Sequence, residues 1–395
     1  MEYKLNTKPP SLAALILCIS FPSVVAVLLT PALPAIAKAM HISGDKVQQL
    51  ITLFVIGYAL GQLIYAPFAN RFGRKVALYS GISLYLLGSL ICLLGVFTAS
   101  IYILFIGRFL AALGSSVGMV ICFTIINDFY YPEQARTIAS YTVLAYAFMP
   151  AMGVLFGGFI TSNFSWVGCF YFYIIYGIAI LFVAKTLPET LAEKNHHALH
   201  IVKILKSYYQ AFTNLRLVLF SALFGLFGSF AYVIASGGPF IGVTKIGLTP
   251  AAYGLMMLIA YSGQFIGSLI SGRASKFVLA YTVIFWGASA TFTGVIILSI
   301  CFKLGIVNNY SFFGSLFLVM LGLPMIYSSA STMATSHCAD KATASSIMSF
   351  ITMMIAFTST MVVAILPTKN IMEMPHIFMG LVVIIIVVLV LSRKV

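Results

Sequence analysis

Apolar runs of about 20 residues recur twelve times along this chain, at approximately 12–34, 48–69, 77–98, 101–126, 137–160, 166–186, 217–237, 251–271, 278–301, 311–334, 342–366 and 375–392. At about 1.5 Å of rise per residue, each run is long enough to cross a hydrocarbon layer roughly 30 Å thick. No water reaches the middle of such a layer, so the backbone must satisfy its own hydrogen bonds, and runs of this length do so as helices. Composition points the same way. With 61% hydrophobic and only 8% charged residues, the chain has too little polar surface to cover a soluble globule. The expectation is an all-α integral membrane protein with twelve transmembrane helices.

The net charge of +14 would suggest nucleic acid in a soluble protein, but its placement sets topology instead. With both termini in the cytoplasm, sixteen basic residues fall in inner loops and tails, five in outer loops, and Arg108 alone inside a span. That bias follows the positive-inside rule. The longest polar segment, 187–215, divides six spans from six, giving an N-terminal bundle 1–186, a cytoplasmic linker and a C-terminal bundle 216–395.

The stretch Tyr58–Lys75 takes a helix with small residues (Ala59, Gly61, Ala66) into a tight basic turn, with Arg71, Arg74 and Lys75 at headgroup level and Gly73 supplying the bend. Two hundred and two positions on, Gly61, Gln62, Ile64 and Arg71 recur as Gly263, Gln264, Ile266 and Arg273. All four sit at the same point of a helix-turn unit, the mark of a decayed internal duplication of about half the chain.

Within the spans, Pro31 and Pro34 either break the first helix beside a cavity or simply end it. Arg108 either faces an aqueous cavity or snorkels outward, since an intramembrane charge costs about 2.5 to 3.5 kcal/mol on insertion scales. Ser236 to Pro239 are expected to close the seventh span, and Gly322 to Pro324 to interrupt the tenth. Pro150, Gly153, Gly157 and Gly158 form a kink followed by a flat glycine face. Residues 201–212 read as an amphipathic helix on the inner leaflet, and His196, His197 and His200 as a solvated face rather than a metal site. The six scattered cysteines read as small core residues. No cleavable signal precedes the first span. No nucleophile–base pair, phosphate loop or metal-ligand spacing appears, which argues against an enzyme, a metal or a cofactor.

Taken together these residues resemble the major facilitator superfamily, and within it the drug:proton antiporters related to bicyclomycin and chloramphenicol exporters. The loop signature of that superfamily, Gly-x-x-x-Asp-Arg-x-Gly-Arg-Lys/Arg, falls on Ala66 to Lys75. Its motif B arginine falls on Arg108 and its motif C on Pro150, Gly153, Gly157 and Gly158, while Leu187 to Leu191 and Ala342 to Ser345 resemble further subgroup marks. Two departures matter. Asn70 stands where the signature has Asp, and Val27 where the subgroup commonly has an acid four positions before the proline matched by Pro31. None of the eight acids lies at midplane.

The resemblance implies two pseudo-symmetric six-helix bundles around a central cavity, rocking to expose it alternately. It implies a multi-pass protein of the cytoplasmic (inner) membrane, acting as a monomer among lipids on a small-molecule substrate, with protons as a candidate coupling ion and no nucleic acid. Thr30, Arg108, Phe123, Tyr232 and Tyr327 are the candidate substrate-facing residues. Asn70, Arg71, Gly73, Arg74, Lys75 and Asp128 are the candidate inner gate, with Asp128 either replacing the missing signature acid or merely solvated. Multidrug-type efflux is the leading reading. The missing acids keep open uptake or facilitated movement of a metabolite, nutrient or siderophore, and a transport-dead membrane sensor stands behind both.

Overall fold

The computed structural model describes residues 9–191, 193–195, 212–274, 277–335, 341–365 and 371–392. Within them the chain forms twelve helical rods: α1 (Leu12–Ala39), α2 (Gly44–Phe72), α3 (Arg74–Phe97), α4 (Ile101–Phe129), α5 (Pro132–Phe164), α6 (Gly168–Lys185), α7 (Leu215–Lys245), α8 (Pro250–Ala274), α9 (Ala280–Lys303), α10 (Asn309–Thr335), α11 (Lys341–Ile365) and α12 (Glu373–Ser392). Eleven contain stretches long and apolar enough to cross a membrane. The twelfth, α5, is 33 residues long and carries the apolar stretch Phe148–Phe164. The expected amphipathic helix at 201–212 and the three linker histidines lie outside the described residues, apart from Phe212 itself.

The prolines explain where rods bend and where they do not. Pro31 has no N–H to offer the Val27 carbonyl, so the chain tightens into a short 3-10 turn at Thr30–Ala32, and the Thr30 hydroxyl donates to Val27 O at 2.8 Å. The rod then continues to Ala39. Two expectations need correction. α10 runs unbroken through Pro324, and α7 runs through Pro239 into a π-turn at Phe240–Lys245 instead of closing at Ser236 to Pro239. Proline alone does not end a helix when packed neighbours take up the freed backbone groups.

Small residues set how the rods pack. A Cβ at Gly61 of α2 would strike Ser116 Oγ and come within 2.6 Å of the Leu113 carbonyl on α4. One at Gly263 of α8 would strike the Phe317 carbonyl on α10. Backbones this close are possible only without side chains between them. The same helix-on-helix approach thus occurs at both copies of the sequence repeat.

The two sets of six helices meet along α5 against α8 and α2 against α11. At the end remote from the basic turn, a Cβ on Gly158 would strike the Pro250 carbonyl, and Ala251 N–H donates to Ser162 Oγ at 2.9 Å. Gly153 and Gly157 face α1 instead, where a Cβ on Gly157 would strike the Leu28 carbonyl. The flat glycine face following Pro150 therefore serves two neighbours, one in each half.

Candidate functional site

The basic turn gathers polar groups from α2, α3, α4 and the linker. Gly73 sits at φ +113°, ψ 158°, a conformation open essentially to glycine alone, and a Cβ there would stand 2.7 Å from Glu189 Oε2. Glu189 reaches back from the linker to cap α3. Its Oε1 accepts from Arg74 N–H and its Oε2 from Lys75 N–H, both at 3.0 Å. A carboxylate at a helix N-terminus meets unsatisfied donors and the positive end of the helix dipole. Burial pushes the Glu189 carboxyl up, but backbone donors from Leu191, Arg74, Lys75 and Thr190 outweigh it and hold its pKa below the ordinary value.

Arg74, itself almost buried, ties this cap to two other helices. Its Nε donates to Asp128 Oδ2 at 2.9 Å, at the end of α4, and its Nη1 donates to Ala69 O at 3.0 Å and Asn70 Oδ1 at 2.9 Å, on α2. The Thr190 hydroxyl donates to the same Asp128 oxygen at 2.9 Å. Lys75 Nζ reaches the Lys185 carbonyl at the end of α6, 3.2 Å away, and the Arg71 guanidinium lies 5.4 Å from the Phe72 ring centroid. The structure thus brings together five of the six gate candidates, Asn70, Gly73, Arg74, Lys75 and Asp128. Glu189 and Thr190 join them, and the sequence pattern offered no sign of their contacts.

Arg108 occupies a different setting, fully buried at 0% exposure. Its Nη1 and Nη2 donate to the Val25 carbonyl of α1 at 3.3 and 3.4 Å, and the Tyr173 hydroxyl of α6 donates to the same oxygen at 3.1 Å. The guanidinium carbon sits 4.7 Å from the Phe54 ring centroid and 5.3 Å from that of Tyr173, while Nε has no partner. Cation–π contacts of this kind give about 0.5 to 2 kcal/mol each. In this state Arg108 neither snorkels to a surface nor lines an open cavity; three helices of the first half close around it.

The remaining substrate candidates divide between the halves. Thr30 is buried with its hydroxyl turned onto its own helix, so in this conformation it offers no free group to a substrate. Phe123 is half-buried on α4. Tyr232 and Tyr327 share one wall of the second half: Tyr327 lies 4.7 Å from Phe224 of α7, its hydroxyl faces Gly228 one turn before Tyr232, and Tyr232 Oη approaches Met353 Sδ of α11 at 3.6 Å. Beside them Thr352 Oγ1 is buried without a hydrogen-bond partner, a candidate the sequence did not distinguish from other intramembrane threonines.

A profile of the Major Facilitator Superfamily matches residues 14–361. The chain is 25% identical over 268 residues to multidrug resistance protein D of Escherichia coli, an alignment covering 67% of this chain and 66% of that one. It is 28% identical over 236 residues to the bicyclomycin resistance protein homolog of Haemophilus influenzae, covering 58% of each. Both alignments span less than two thirds of the relative's own length. Among solved structures, a D-xylose-proton symporter superposes with a TM-score of 0.73 at 14% identity over 95% of both chains, a likeness of fold alone.

Proposed function

The chain belongs to the Major Facilitator Superfamily, and from that premise we propose that it is a secondary transporter moving a small molecule across the cytoplasmic membrane by alternating access. The observation that carries this reading is the contact between the two halves at the end remote from the basic turn, through Gly158, Pro250, Ala251 and Ser162. A rocking motion can open this contact, where the Gly158 backbone meets the Pro250 carbonyl directly and one hydrogen bond joins Ala251 to Ser162. With the basic turn placed in the cytoplasm by the positive-inside rule, this conformation is closed to the outside, and the termini are cytoplasmic. The halves are 1–186 and 216–395, joined by the linker.

Efflux of an amphipathic compound is the leading reading, supported by similarity to relatives named for resistance. Tyr232, Tyr327 and Phe123 provide aromatic walls; Thr30 and Arg108 enter the path only if α1 moves. Asn70, Arg71, Gly73, Arg74, Lys75 and Asp128 form the inner gate. No chemical step is assigned, and the protein works as a monomer. A second reading, substrate movement without the usual proton coupling, is favoured by Val27 and Asn70 standing where acids are expected. Flux in proteoliposomes, with and without an imposed pH gradient, separates the two. Acceleration of a non-titrating substrate by the gradient supports efflux by antiport, and gradient-independent flux supports the second reading. Absence of flux for every compound tried, in protein shown to be folded, leaves the transport-dead sensor.

A further inference from the structure

α2 presents different faces to its two main neighbours. Gly57 and Gly61 turn toward α4, where a Cβ would stand 2.5 Å from the Phe109 carbonyl and 2.6 Å from the Leu113 carbonyl respectively. At about 100° per residue, Gln48, Thr52 and Gln62 fall within about 80° of one another on the other side of the helix. That is the side left for the second half, whose α11 packs against α2. Gln48 borders the outer cleft beside Gly237 of α7 and Val363 of α11, which places this face at the boundary between the halves. The three residues are 2%, 5% and 7% exposed, and Gln48 Oε1, Thr52 Oγ1 and Gln62 Oε1 are buried without a hydrogen-bond partner. A buried polar atom with no partner carries its full desolvation cost, and such atoms are rare enough in folded proteins to call for a reason.

We propose that Gln48 and Thr52 bias the protein against this outward-closed conformation and so set how readily the halves part at the outer end. The inference rests on the alternating-access reading. In the present conformation both oxygens are closed off from solvent, and the second half supplies no donor in its place. Gln48 lies at the rim of the cleft and Thr52 one turn deeper, so a motion that parts α2 from α11 at this end wets them in that order. Each then gains the hydrogen bonds to water that it lacks while buried. The cost falls on the closed state alone, and only such a difference between two states shifts their populations. Apolar side chains at the two positions would fill the seam without that cost and hold the outer end shut. Gln62 lies past the middle of α2, toward the basic turn. Rocking about the middle of the membrane leaves it enclosed as the outer end opens, so it sets no such bias.

The test is deuterium uptake by the full-length protein in nanodiscs, read by mass spectrometry in the peptides of α5 and α8 that meet at Gly158 and Pro250. These peptides report opening of the outer end on helices other than the substituted one. Gln48→Met and Thr52→Val remove an unpaired oxygen with little change of shape, and each is expected to slow exchange there by about fivefold or more, the factor an unpaired buried group implies. The double variant should be slower still, and no melting temperature should fall. Because a change at Gln48 can disturb folding, Thr52→Val is read as an independent arm. Thr52→Ser keeps the oxygen, and Gln62→Met lies beyond the part that opens, so both should leave exchange at the contact close to that of the unaltered protein. Slowing confined to α2, unchanged or faster exchange at the contact, or an effect of Gln62→Met as large as that of Gln48→Met would overturn the proposal. In those cases the unaltered protein still opens, and the alternating-access reading stands. An outer contact that never opens in the unaltered protein, with or without candidate substrates, removes that reading and this inference with it, so the two failures are distinguishable.

Discussion

Arg74 Nε and Asp128 Oδ2 lie 2.9 Å apart, joining the start of α3 to the end of α4, with side chains 7% and 27% exposed. The pair lies between the surface case, worth about 0 to 1 kcal/mol, and the buried case, where removing one partner costs about 3 to 5 kcal/mol. Asp128→Asn is therefore expected to lower stability by about 1 to 3 kcal/mol, with Arg74→Gln similar and the double variant well short of their sum. Thermal unfolding of the four proteins in detergent reads the coupling directly. Strict additivity would mean that the pair contributes nothing.

Glu189 gives this cluster a pH dependence of definite sign. Its folded pKa lies below the ordinary 4.5, so the stabilisation from capping α3 is fully present above that value and is lost as pH falls through the lower, folded one. Below pH 4.5 the protein should lose stability, and Glu189→Gln should lose less over the same interval because its cap no longer titrates. The comparison is the difference in melting temperature between pH 7 and pH 4 for the two proteins. Equal differences would remove Glu189 from the account.

At Gly73 the backbone and the space agree. Gly73→Ala must either hold alanine at φ +113° or straighten the turn, and its Cβ meets the Glu189 carboxylate in either the present geometry or one close to it. A cost of about 1 to 3 kcal/mol is expected, together with faster hydrogen exchange at the amides of Arg74 and Lys75, which Glu189 now covers. Loss of stability without faster exchange at those two amides would show that strain alone is responsible.

How much of this was legible in the sequence follows from the range of each interaction. The twelve rods, the bend at Gly73 and the glycine approaches of α2 and α8 depend on local composition and on a fixed bilayer thickness, so run length and residue size disclosed them. The cap from Glu189 joins residues 115 positions apart; its donors are main-chain groups that leave no side-chain pattern to read. Proline misled at Pro239 and Pro324, where neighbouring helices decide whether a lost hydrogen bond ends the rod. Arg108 was recognisable as costly, but which groups enclose it depends on α1, α2 and α6 converging.

That enclosure makes Arg108 sensitive to shape as well as charge. The guanidinium plane reaches one carbonyl with two nitrogens while lying near two rings; a lysine ammonium is a point donor without that planar fork. Arg108→Lys is expected to cut flux at least tenfold even where the protein still folds, and Arg108→Ala to do the same. Tyr173→Phe, which removes only the hydroxyl donating to Val25 O, should cost about 1 kcal/mol of stability and leave flux within a fewfold of normal. Normal flux in both Arg108 variants would assign the residue to packing alone.

Energy coupling is where family resemblance and this chain's residues part. Proton exchange needs a group that titrates within the path, and Val27 of α1 has none; in the structure it is buried, with its side chain 3.0 Å from where a Cβ on Gly153 would stand. Asp128 is an acid held at the basic turn by Arg74 and Thr190, so removing its charge would loosen the contacts it makes with α3 and the linker. If transport is proton-driven, Asp128→Asn should abolish acceleration by a pH gradient for a non-titrating substrate while leaving downhill exchange measurable. Val27→Asp would place an ionisable carboxyl in an apolar setting within the span, and flux should acquire a new pH dependence rather than merely decline. Two controls make the outcome decisive: Val27→Asn, which matches the size and polarity without the proton, and a melting curve for each protein. Fully gradient-driven transport in Asp128→Asn would place coupling elsewhere, and identical pH profiles for Val27→Asp and Val27→Asn would mean that α1 cannot host it.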